Sequence, residues 1–122
     1  MDRVETTIHD VIAEYAKPGL NAVSYMMYSK DQKMIAIVDQ SVQKGEKHTD
    51  VGLLVRLIED WIVVEYDANS EPLYEALMQA GIPRERIILA YAGETMPDSR
   101  GEQGMRKDKY HQTVVNALQK LG

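Results

Sequence analysis

Apolar residues recur along this chain with two different periods, and the changes of period mark out its elements. From Val4 to Ala16 the period is helical. Val4, Ile8, Val11, Ile12 and Tyr15 form one stripe, with Glu5, Thr6, Asp10 and Glu14 on the other side. Lys17-Pro18-Gly19 ends this helix, since Pro disfavours helical geometry in the residue before it and Gly gives a flexible exit. Strands follow. Residues 22–28 (A-V-S-Y-M-M-Y) and 33–40 (K-M-I-A-I-V-D-Q) flank the polar tetrapeptide Ser29 to Gln32, which suits a hairpin turn. In the second run Met34, Ala36 and Val38 share one face and Ile35 and Ile37 the other, so this strand belongs in the middle of a sheet.

A polar loop is expected from Gln43 to Thr49. Residues 51–58 (V-G-L-L-V-R-L-I) suit strand or helix by hydrophobicity alone; the connection Glu59-Asp60 and the β-rich run W-I-V-V-E-Y after it favour a hairpin. The period turns helical again after Asp67. Asn69 or Ser70 can cap this helix, Pro72 is tolerated in its first turn, and Leu73, Tyr74, Leu77, Met78 and Ala80 are expected on its buried side. Gly81 and Pro83 stop it, and residues 87–91 (I-I-L-A-Y) read as a short buried strand. Residues 92–106, broken by Gly93, Pro97, Gly101 and Gly104, read as a mobile loop. Asp108 then caps a last helix over 107–121, with Tyr110, Val114, Ala117, Leu118 and Leu121 at helical spacing. The order α-β-β-β-β-α-β-α predicts one α+β domain over residues 1–122, an antiparallel meander sheet packed with helices, with no repeat and no dividing linker.

Composition narrows the function classes. The 122 residues suit one domain with a sizeable core. The absence of Cys excludes a disulfide framework and thiolate metal sites, and suits a reducing cytoplasm. No apolar run is long enough to span a bilayer, and no signal segment opens the chain, so a cytoplasmic protein is expected. With 14 Lys+Arg against 19 Asp+Glu, the formal charge of −5 argues against unaided nucleic-acid binding.

Catalytic motifs are missing: there is no phosphate-binding loop, nucleophile elbow, His-Glu-x-x-His pair or Cys nucleophile. His9, His48 and His111 have no ligand-like spacing and read as solvated side chains, so no metal, cofactor or catalytic residue is assigned. Glu65 and Asp67 alternate along one strand, which predicts a shared face with Trp61 and Val63 and a separation of about 7 Å. Such a pair can hold a cation or work as acid and base, or it can simply be the solvated end of the strand. The segment Arg100 to Lys109 is the most basic patch, diluted by Asp98, Glu102 and Asp108, and offers weak DNA contact at best. Tyr25, Met26, Met27 and Tyr28 are side chains that fill core gaps or cover an interface, and an exposed sheet face or edge would support a homodimer.

The run Arg56 to Glu71 (R-L-I-E-D-W-I-V-V-E-Y-D-A-N-S-E), followed by Ala80 to Tyr91 (A-G-I-P-R-E-R-I-I-L-A-Y), resembles the XisI family, the fdxN-element excision controlling factors. Trp61-Ile62, Asp67, Glu71, Gly81-Ile82-Pro83 and Ile87-Ile88-Leu89 stand at the family's characteristic positions, and Glu14-Tyr15-Ala16 matches the end of its first helix. The resemblance covers residues 8–91. It departs after the last strand, where the family's His-Pro-Pro-Glu segment is replaced by Tyr91-Ala92-Gly93-Glu94-Thr95-Met96-Pro97.

The resemblance implies an accessory factor for programmed DNA-element excision by a site-specific recombinase. Such a factor acts through contacts with a companion that looks nuclease-related, or with its own copies, and not by catalysis. Trp61 would anchor the core, and Trp61, Glu65, Asp67, Glu71 and Glu94 are the residues assigned to interaction. The competing readings are a small cation-dependent hydrolase using Glu65 and Asp67, and DNA contact through Arg100 to Lys109.

Overall fold

The computed structural model describes residues 2–19 and 21–97. Helix α1 (Arg3–Ala13) leads into strands β1 (Ala22–Tyr28), β2 (Met34–Gln43), β3 (Glu46–Ile58) and β4 (Trp61–Asp67), then helix α2 (Leu73–Gln79) and strand β5 (Ile87–Leu89). The five strands lie side by side in chain order. The first four are an antiparallel meander; β5 returns after α2 to pair parallel with β4. The expected α+β architecture holds through β5. The last expected helix, the basic segment from Arg100 and most of the expected 92–106 loop lie outside the described residues.

Both helices cover one face of the sheet. Ile8 and Ile12 of α1 and Leu73 and Leu77 of α2 are buried with Ile35 and Ile37 of β2, Leu53 and Val55 of β3, and Ile62 and Val64 of β4. Full burial of one such side chain is worth about 1.5–3 kcal/mol, so this cluster supplies the main drive to fold. Trp61 does not belong to it. It is half-buried beside Asp2, Glu59 and Arg86 at the start of β4, so the anchoring of the core falls to the aliphatic cluster instead. On α2, Met78 and Ala80 are exposed rather than buried; a seven-residue helix buries only the Leu73–Leu77 line, with Tyr74 at its flank.

Three local features depart from expectation. The region 43–49 is mostly strand: β2 runs to Gln43 and β3 starts at Glu46. The reversal needs only Lys44 and Gly45, whose φ angles of 53° and 79° are those of a tight hairpin turn with both central residues left-handed. His9 is buried rather than solvated, its ring edge-on to Tyr28 at 5.6 Å and its Nε2 3.3 Å from the Gln32 carbonyl oxygen. Strand β5 stops at Leu89, and Tyr91 stands outside it, 42% exposed.

Helix α1 ends at Ala13, three residues before the expected Ala16; the other boundaries follow the sequence closely. Ser29 N–H closes the first hairpin on the Met34 carbonyl at 2.9 Å. Gly81, at φ 100°, ends α2 by donating to the Met78 carbonyl at 3.0 Å while Ile82 donates to that of Leu77 at 3.0 Å. Among the described residues no helix is long and apolar enough to cross a membrane.

Candidate interaction site

The two carboxylates expected on one face of β4 are divided by a bulge. Val55 pairs with Val64, but the next residue back on β3, Leu54, pairs with Tyr66, leaving Glu65 as the extra residue. Asp67 therefore pairs with Leu53, a fully buried core residue, and turns to the helix side of the sheet. Glu65 stays on the other side. There it borders an open depression of about 630 Å³ with Asp39, Asp50, Leu54 and Tyr66. The predicted pair does not exist as a unit, and among the described residues no three metal-ligating groups come together.

Asp67 has a structural task. Its Oδ2 accepts the Leu73 N–H at 2.8 Å, and its Oδ1 accepts from Asn69 through the backbone N–H at 3.0 Å and the side-chain amide at 2.8 Å. The cap of α2 thus comes from Asp67, not from the side chain of Asn69 or Ser70. Pro72 occupies the N-cap position itself and has no side chain able to accept. The negative carboxylate also sits where the helix N-terminus favours it.

Glu94 closes the other side of this end of the sheet. Its Oε1 accepts the Leu89 N–H at 2.9 Å and its Oε2 the Arg84 guanidinium at 2.7 Å. These bonds hold the Glu94 carboxyl below the usual carboxylate range, the backbone N–H of Leu89 first and Arg84 second. Arg84 also donates to the Ile87 carbonyl at 2.7 Å and lies over the Tyr74 ring, 5.5 Å from its centre. The Glu71 backbone carbonyl accepts the Tyr15 hydroxyl at 3.0 Å.

Asp67, Glu71 and Glu94 therefore gather around α2, whereas Trp61 and Glu65 lie elsewhere on the sheet. The carboxylates share this end of the sheet with a set of tyrosines. Burial first, and then the charges of Asp67, Glu71 and Glu75, push the Tyr15 phenol up. Burial, followed by the charges of Asp67, Tyr74 and Glu94, does the same to Tyr91, with Arg84 opposing. The result is a patch of Tyr74, Arg84 and Tyr91, with Tyr15 on its far flank. Tyr and Arg are the side chains that protein interfaces favour. Sequence reasoning did not single out this patch. Its one visible trace is Arg84, placed directly after the Gly81-Ile82-Pro83 stop.

The carboxylates of Asp67 and Glu94 are engaged by backbone N–H groups, by the Asn69 amide and by Arg84. Fold and site together define the class: an α+β domain with a meander sheet, two helices on one face, and polar side chains that lock the backbone at the end of β4. The chain belongs to the XisI family, whose profile, described as XisI protein, matches residues 1–101. Two solved structures from Anabaena variabilis ATCC 29413 share the fold. The fdxN element excision controlling factor XisI superposes with a TM-score of 0.57 at 19% identity, covering 80% of this chain and 94% of its own. A XisI-like protein superposes with a TM-score of 0.55 at 14% identity, covering 70% and 78%. No curated protein matches the sequence.

Proposed function

We propose that this chain is a controlling factor for excision of a DNA element, acting in the cytoplasm by binding another protein and without catalysis of its own. Family membership over residues 1–101 carries the reading, together with the fold shared with a solved excision controlling factor. Two features support the mechanism. Asp67 and Glu94 are engaged in holding α2 and β5, and the formal charge of −5 suits a protein partner better than a phosphate backbone. The partner fitting this role is the nuclease-like companion of the excision system, and the Tyr74–Arg84–Tyr91 patch is its contact surface.

The test is the frequency of the excised junction in cells deleted for this gene. Excision should fall on deletion and return when the intact chain is restored. Excision that proceeds at full frequency without the chain would overturn the reading.

A further inference from the structure

Strand β1 forms one edge of the sheet, and among the described residues no strand lies along its outer side. Its hydrogen-bonding phase is fixed at both ends. Ser29 donates to Met34 O at 2.9 Å, and Val42 donates to Asn21 O at 3.1 Å, so the odd-numbered positions bond to β2. By the alternation of an antiparallel ladder, the backbone groups of Ser24, Met26 and Tyr28 point outward. Soluble proteins usually blunt such an edge with Lys, Pro, a bulge or a cover. This one has no charge and no Pro in its seven residues, and its register against β2 is unbroken.

The side chains add to the case. Met26 packs against the core, so Val23, Tyr25 and Met27 lie on the face away from the helices, where they are 45%, 46% and 54% exposed. We propose that β1 pairs antiparallel with β1 of a second copy across a two-fold axis at Tyr25, joining two five-stranded sheets into one of ten strands. This inference goes beyond the excision reading and does not rest on it.

The phase of the edge selects the register. Outward-pointing positions must meet outward-pointing positions, so the two-fold axis passes through a residue of β1. Centring on Tyr25 is the choice that uses all seven residues. Tyr25 then faces Tyr25, Val23 faces Met27, Ser24 faces Met26, and Ala22 faces Tyr28 of the second copy. A second copy fits because the strand is neutral in a chain of net charge −5, so the two-fold brings no like charges opposite one another on the paired strands.

The area fits a reversible dimer. A half-exposed tyrosine offers roughly 100 Å². With Val23, Met27 and Tyr28 the two strands together offer about 800 Å² at most, below the roughly 1,200 Å² at which stable interfaces begin and in the range of weak, reversible ones. The same backbone edge would accept an extended segment of another protein, and solution mass separates the two.

The chain has no Cys, so single cysteines report cleanly on the register. Directly opposed positions that do not share hydrogen bonds have Cα atoms about 4.5 Å apart, within disulfide reach. Oxidised Tyr25→Cys should run as a covalent dimer. Val23→Cys should not, while the double variant Val23→Cys with Met27→Cys should. In sedimentation the unmodified chain should reach twice its 13.8 kDa at high micromolar concentration and return to 13.8 kDa on dilution. Tyr25→Lys should remain at the single-chain mass with an unchanged melting curve. A single-chain mass at high concentration would overturn the proposal, as would a dimer that Tyr25→Lys leaves intact or that Val23→Cys cross-links in place of Tyr25→Cys.

Discussion

The Oδ2 atom of Asp67 accepts the backbone N–H of Leu73 at 2.8 Å, so the last residue of β4 holds the first residue of α2. A carboxylate doing this in place of an ordinary cap carries the weight of a charged hydrogen bond. Asp67→Ala should cost about 1–3 kcal/mol, read as a lower midpoint in urea denaturation. Asp67→Asn keeps one acceptor oxygen and should lose less. Equal losses in the two variants would show that the charge, and not the acceptor, holds the helix.

The bulge at Glu65 separates this carboxylate from its sequence neighbour. Addition of Mg²⁺ or Mn²⁺ should therefore leave the melting temperature unchanged, and Glu65→Ala should not alter that response. A cation-induced rise that Glu65→Ala abolishes would restore the hydrolase reading.

Glu94 gives a pH signature. Its folded pKa lies below the ordinary value, so its stabilisation is present above the unfolded carboxylate pKa of about 4.3 and is lost as the pH falls through the folded value. The pair with Arg84 is more than a third exposed, which limits its contribution to below about 1 kcal/mol. Glu94→Gln should be slightly less stable than the native chain at neutral pH and converge with it as the pH falls through the folded value. Parallel curves across that range would count against the clip.

Gly45 takes a φ of 79° in the β2–β3 turn, with open space where a side chain would stand. Gly45→Ala should therefore cost about 1 kcal/mol through backbone conformation alone. Faster amide exchange at Gln43 and Glu46, the pair that closes the hairpin tip, should accompany the loss.

Much of this fold was legible in the sequence because local and long-range cues agreed. β1 matches its expected span because a polar turn on one side and Pro18-Gly19 on the other bracket an apolar run. The outer half of the β2–β3 hairpin was read as a loop because it projects past the core, so neither face needs apolar residues. The Lys44-Gly45 pair was its one clue. The face of Asp67 was misassigned for a different reason. Strict alternation assumes equal residue counts on paired strands, and the bulge at Glu65 breaks that equality without marking the sequence. The tyrosine patch was hidden because Tyr15, Tyr74 and Tyr91 come from three separate segments of the chain.

The proposed role in excision runs through the binding of a protein partner. It is tested most directly by native co-purification of the tagged chain with the nuclease-like companion, expressed together. A stable complex should form, and a Tyr91→Ala, Arg84→Ala double variant should lose it while the sheet remains folded. A companion that elutes separately from the intact chain would contradict it.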